Sequence, residues 1–178
     1  MKKPVPLIAA GALVIGAAAI VIKKLLEEPL DTVQHVDLER YLGRWYEIAA
    51  IPQRYEKGCT YTTAHYSLNP DGSVQVKNSC ITEGKERVAV GKAFITDPVS
   101  KSKLDVQFFW PFRGKYWIID LAPDYSYALV GHPDRKSLWI LSRKPWMEKE
   151  IYKDLLITAM SKGFDISKLK VTPQKSGD

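Results

Sequence analysis

Along most of the chain, apolar side chains recur at every second position in short runs, each ended by turn-forming residues. Such alternation sets one face of an extended segment on a core and the other in water. The runs are Arg44–Ile51, Tyr61–Leu68, Ser73–Asn78, Arg87–Thr96, Leu104–Phe109, Lys115–Leu121, Tyr127–Gly131 and Ser137–Ser142. Pro52 stops the first, and Asn69-Pro70-Asp71-Gly72 is a strong turn signal between the second and third. Short strands in this succession predict an all-β domain. Closing eight of them into an antiparallel up-and-down β-barrel leaves no sheet edge exposed.

Two segments break the alternation. Asp37–Leu42 reads as a short helical turn capped by Asp37 and ended by Gly43. Residues 147–162 place Ile151, Leu155 and Met160 on one stripe ahead of Gly163, which predicts an α-helix packed outside the barrel wall. Lys168–Thr172 reads as a short final strand.

The N-terminus has a third pattern. Lys2-Lys3 precede an uncharged stretch from Val5 to Ile22, and Lys23-Lys24 follow it. That stretch is long enough to cross a hydrocarbon core as a helix. It exceeds the apolar region of a typical signal peptide, roughly 7–15 residues. Residues 1–24 are therefore read as a membrane anchor in preference to a cleaved signal segment, for which Ala17 and Ala19 supply a weak cleavage site. Residues 25–36 read as a polar linker, 37–173 as the barrel domain and 174–178 as a tail.

Composition and charge narrow the function classes. A hydrophobic share of 46% with 11% aromatics is that of a folded chain. The net charge of +6 is spread without a basic stripe, so a nucleic-acid footprint is absent. His35, His65 and His132 are scattered, with no spacing suited to a metal or to a catalytic triad. No metal and no cofactor are expected.

Gly43-Arg44-Trp45-Tyr46, at the start of the first strand, resembles the GxW motif of the lipocalins. Asp124-Tyr125 with Tyr127 resembles their second signature, and Arg143, just past the eighth strand, resembles the third. The resemblance runs from Val33 to Thr172 and is nearest to bacterial lipocalins and the apolipoprotein-D-like branch. It implies a barrel whose narrow end is plugged by Trp45 with Arg143 across the indole, so that Gly43, Trp45, Asp124, Tyr125 and Arg143 serve barrel closure.

Alternation then selects the lumenal side chains. Ala64, Tyr66 and Leu68 face inward on the second strand, Val74 and Val76 on the third, Val106 and Phe108 on the fifth, and Trp139 on the last. The sixth and seventh strands are apolar on both faces, and the resemblance suggests Tyr116, Ile118, Ala128 and Val130 inward. At the mouth, Trp110 and Phe112 with Arg113 are candidates for contact with a bilayer surface. Cys59 opens the second strand and Cys80 closes the third, which brings both to one end of a hairpin. A disulfide is expected there, two free thiols being the alternative.

The reading that follows is a lipid-binding or transport protein of the bacterial cell envelope, membrane-anchored or exported, with its barrel in the periplasm. Its partner is a fatty acid, a lysophospholipid or a similar small hydrophobic ligand. Catalysis is not expected. The alternatives are a lipocalin-fold enzyme acting on a lipid, with Tyr116 and His132 moving a proton, and a membrane-anchored interaction module.

Overall fold

In the computed structural model, residues 29–53 and 56–175 are described. The N-terminal segment read as an anchor or signal lies outside them. Among the described residues no helix is long and apolar enough to cross a membrane.

Eight strands form the barrel: β1 (Gly43–Ala50), β2 (Thr60–Leu68), β3 (Val74–Thr82), β4 (Lys85–Ile95), β5 (Lys103–Phe109), β6 (Phe112–Leu121), β7 (Tyr127–Gly131) and β8 (Leu138–Ser142). Each pairs antiparallel with the next, and β1 pairs with both β8 and β2, which closes the ring. Turn chemistry sets the connections. At the β3–β4 hairpin, Glu83 and Gly84 both take positive φ, 53° and 73°. That backbone twist matches the twist of the flanking strands. Both this hairpin and the one joining β5 to β6 run longer than alternation alone suggests, because their polar or exposed ends still pair across a tight turn.

Two apolar cores lie on the two faces of the wall. The inner one fills the barrel around Trp45, Tyr66, Val76, Ile118 and Val130. The outer one lies beneath α2 (Lys149–Ser161) and gathers Ile119, Leu129, Leu138 and Ile140 of the wall with Leu155, Ala159 and Phe164. Gly131 permits this second core, because a Cβ there would come within 2.5 Å of the Phe164 ring. In β1 the register shifts between Glu47 and Ala49, so Ile48 and Ala49 both join the outer core while Trp45 faces inward.

Several expectations need correction. Met160 is not on the buried stripe of the helix. It is 54% exposed, and Ala159 is buried in its place, one position closer to the wall-facing row. Leu68 has inward parity but is 55% exposed, because β2 runs out there at the barrel's end. The segment read as a linker packs from Leu30 onward. Leu30 and Val36 are buried, and the backbone N–H groups of Val33 and Val36 donate to Ile118 and Ser100 carbonyls. The final strand is shorter than read: Ile166–Lys168 form a 3₁₀ turn and β9 covers Lys170–Val171.

β9 has a specific place. β1 and β2 pair only between Gly43–Tyr46 and Tyr66–Thr63, then separate. Beyond that point Val171 and Lys170 pair with Ala49 and Ala50, and the Tyr61 N–H donates to the Pro173 carbonyl. Gln174, read as the start of a tail, donates through Nε2 to the carbonyls of both Glu47 and Thr62. The C-terminal segment thus fills the seam between two parted strands.

Candidate functional site

The closed end of the barrel is built from α1 (Leu38–Tyr41), the start of β1, the β6–β7 turn and the residue after β8. Asp37 caps α1, its Oδ1 accepting from the Glu39 and Arg40 N–H groups. Gly43 opens β1 at φ +91°, and a Cβ there would meet the Arg143 guanidinium at 3.5 Å. Trp45 is fully buried, its Nε1 donates to the Tyr41 carbonyl at 2.9 Å, and the Arg143 guanidinium lies 3.8 Å from its ring centre.

Arg143 also ties the end together by donating to three carbonyls, those of Arg44 (2.8 Å), Arg40 (2.6 Å) and Tyr125 (3.3 Å). Asp124 accepts from the Ser126 N–H and holds the turn. The Tyr125 hydroxyl accepts from the Asp37 N–H at 2.8 Å, and the Arg40 guanidinium stacks over its ring. A cation over a desolvated indole contributes on the order of 2 kcal/mol.

Above this floor lies a small apolar cavity of about 20 Å³, partly open to solvent. It is lined by Leu38, Tyr41, Leu42, Tyr66, Val74, Val76, Ala93, Leu104, Val106 and Tyr116. Of the residues expected in the lumen, Tyr66, Val74, Val76 and Val106, chosen by parity, and Tyr116, suggested by the resemblance, line this cavity. Ala64, Phe108, Ile118, Ala128, Val130 and Trp139 belong to the same inner core outside that lining. The contributions of Leu38, Tyr41 and Leu42 went unread, since strand alternation says nothing about a short helix laid across the barrel floor. Their signal was the placement of three apolar residues immediately before the Trp45 plug.

Three tyrosines link across the cavity. The Tyr116 hydroxyl bonds to those of Tyr41 (2.8 Å) and Tyr66 (3.0 Å). Burial raises the pKa of Tyr41 and Tyr116 well above the ordinary value and pushes Tyr66 up to about 12, so all three stay neutral at ordinary pH. Higher in the lumen, Glu47 continues the inward row of Trp45. Burial, with Glu56 nearby, pushes its carboxyl up to about 7, and Thr172 Oγ1 donates to it. Burial also raises Glu56, which lies within hydrogen-bonding reach of the Trp139 side chain.

At the mouth, Cys59 and Cys80 form a disulfide between the ends of β2 and β3. Beside it the tip of the β5–β6 hairpin holds Phe109, Trp110 and Phe112 exposed at 78, 86 and 77%. Arg113 is also exposed, and its guanidinium stacks 4.2 Å over Phe94 on the wall of β4. His132, read as a possible proton partner of Tyr116, pairs with Asp134 at 2.8 Å.

A closed antiparallel barrel, sealed at one end and lined with apolar side chains above the seal, is the architecture of a small-molecule-binding barrel. The lipocalin-like domain matches residues 36–174, and the chain belongs to the lipocalin family. It is 44% identical to temperature-induced lipocalin-1 of Arabidopsis thaliana over 157 residues, 83% of this chain and 84% of that one. It is 44% identical to the outer membrane lipoprotein Blc of Escherichia coli (strain K12) over 138 residues, covering 76% and 78%. Mouse apolipoprotein D is 38% identical over 154 residues, covering 79% and 78%. Among solved structures, insecticyanin of the tobacco hornworm Manduca sexta superposes with a TM-score of 0.68 at 25% identity, covering 84% and 86%.

Proposed function

We propose that this protein carries one small hydrophobic ligand with an acyl chain, of the fatty-acid or lysophospholipid type, in the barrel lumen. The observation that carries this reading is the apolar cavity directly above the Trp45–Arg143 seal, lined by Tyr66, Val74, Val76, Val106 and Tyr116. Ala64, Phe108, Val130 and Trp139 extend the binding wall toward the mouth, and Ile118 and Ala128 back it on the closed-end side. A buried methylene contributes roughly 0.8 kcal/mol. About a dozen, buried as the lining side chains above the seal move aside, would supply around 10 kcal/mol gross, more than the several kcal/mol lost to association and chain ordering. Long aliphatic cargo is therefore selected over short polar molecules.

Residues 1–24 tether the barrel at a membrane of the bacterial cell envelope, on its periplasmic side. The similarity to outer membrane lipoproteins supports an envelope setting. Trp110 and Phe112 touch the bilayer surface during loading, and Arg113, held beside them over Phe94, meets lipid phosphate.

The test is mass spectrometry of solvent extracts from the purified full-length protein. A co-purifying acyl lipid near one equivalent per chain is expected. A protein that carries no lipid and takes up none from added lysophospholipid or fatty acid overturns the reading.

A further inference from the structure

The lumenal lining is mostly apolar and turns polar on β1 and β3 beyond Trp45 and Val76. β5 to β8 present Val106, Phe108, Ile118, Ala128 and Val130. On the opposite wall, Asn78 continues the inward row of Val74 and Val76 and pairs with Ala64, which in turn pairs with Trp45. Its Oδ1 is buried and has no hydrogen-bond partner among the described residues. Neither the barrel closure nor the strand ladder uses this side chain. A buried amide oxygen without a donor is costly, and most such groups in folded proteins are satisfied.

Glu47 lies one step nearer the mouth on β1, 8% exposed, with Thr172 of the C-terminal segment as its hydrogen-bond donor. Glu56 approaches from the loop after β1 and acts on it electrostatically. Tyr66 of β2 faces the same carboxylate. On β4, Arg87 is opposite Cys80 at the exposed rim, beyond this layer. A polar group entering from the mouth thus meets two carboxyls and then a free amide acceptor.

We propose that Asn78 is the lumenal contact for an uncharged hydroxyl next to the ligand's acyl chain, and that Glu47 and Glu56 turn away a cargo whose polar end is a carboxylate. The proposal rests on the carrier reading and separates its two cargo classes. A hydroxyl donates and accepts, as a carboxamide does, so the pair satisfies both partners. A carboxylate offers only acceptors and adds a like charge to a desolvated site. Two sources hold the required chemistry, a monoacylglycerol and the glycerol of a lysophospholipid.

Displacement of the uncharged fluorophore N-phenyl-1-naphthylamine from the full-length protein at pH 8 tests this with three competitors of one chain length: monolaurin, lauroyl lysophosphatidylcholine and lauric acid. Monolaurin is expected to displace the probe at about tenfold lower concentration than lauric acid. Lysophosphatidylcholine matches monolaurin if the hydroxyl alone is read, and surpasses it if the rim also takes phosphate. Asn78→Leu should lose the preference for monolaurin, read as the ratio of the two competitors against that variant's own probe affinity, and Glu47→Gln/Glu56→Gln should strengthen lauric acid several-fold. Lauric acid equal to or better than monolaurin on the unsubstituted protein, or an unchanged ratio in Asn78→Leu, overturns the proposal and leaves the carrier reading standing. A protein that takes up neither the probe nor any of the three lipids overturns both.

Discussion

The two ends of the barrel are made on opposite principles. At the closed end a fully buried Trp45 lies under Arg143, and that guanidinium donates to three carbonyls from separate segments. At the open end Phe109, Trp110 and Phe112 stand in solvent, and a disulfide joins β2 to β3 where packing is thin. Dense packing makes the floor rigid and impermeable, and a thinly packed rim leaves the mouth free to admit cargo. Stability and access are thus assigned to different ends of one cylinder, because a core residue cannot serve both.

The largest expected effect breaks the floor. Trp45→Ala should destabilise the protein by about 3–5 kcal/mol in urea unfolding, since it leaves a cavity and strips Arg143 of its ring. Next comes the link at the mouth. Cys59→Ser/Cys80→Ser opens a loop with a sequence separation of 21 and should cost about 3 kcal/mol in the same measurement. A loss as large as that of Trp45→Ala would mean that the open end contributes as much stability as the closed one.

Glu47 comes third and is pH-dependent. Burial pushes its carboxyl from the ordinary 4.5 up to about 7, so the folded state favours the protonated form. The stability this contributes is full below about pH 4.5 and falls as pH rises through about 7, by at most about 3 kcal/mol. Glu56, Tyr66 and Thr172 are the groups that face it. Glu47→Gln should flatten the decline between pH 5 and pH 8 in urea unfolding, and an unaltered slope would move its origin elsewhere. The smallest stability effect is expected at the rim. Trp110→Ser/Phe112→Ser should change unfolding by less than about 0.5 kcal/mol, since both rings are exposed. The same variant should deliver lipid to anionic vesicles several-fold more slowly, and an equal rate would remove the rim from the loading step.

Much of the barrel was legible because strand parity is local. Val74 and Val76, or Val106 and Phe108, must share a face whatever surrounds them, and all belong to the inner core. The same spacing sets Asn78 after Val76 and Glu47 after Trp45, two inward positions left unread from the sequence. Parity alone attached no chemistry to them, because a polar residue at an inward position gains meaning only when its partners are known. Leu68 and Met160 failed for a related reason. A periodic pattern shows direction but not where an element leaves the core.

The plug at Trp45 and the inward faces of β6 and β7 came from the family resemblance, whereas the sequence by itself determined the strand count, the faces of β2, β3 and β5, and the hairpin that brings Cys59 to Cys80. Those features depend on backbone periodicity and short-range turns. Only the tertiary structure decided that residues 30–36 pack against the barrel, that Gln174 bridges β1 and β2, and that Glu56 meets Glu47 beneath the mouth. These contacts join segments far apart in the chain, and they exist only once the ring has closed and shown which edges remain unpaired.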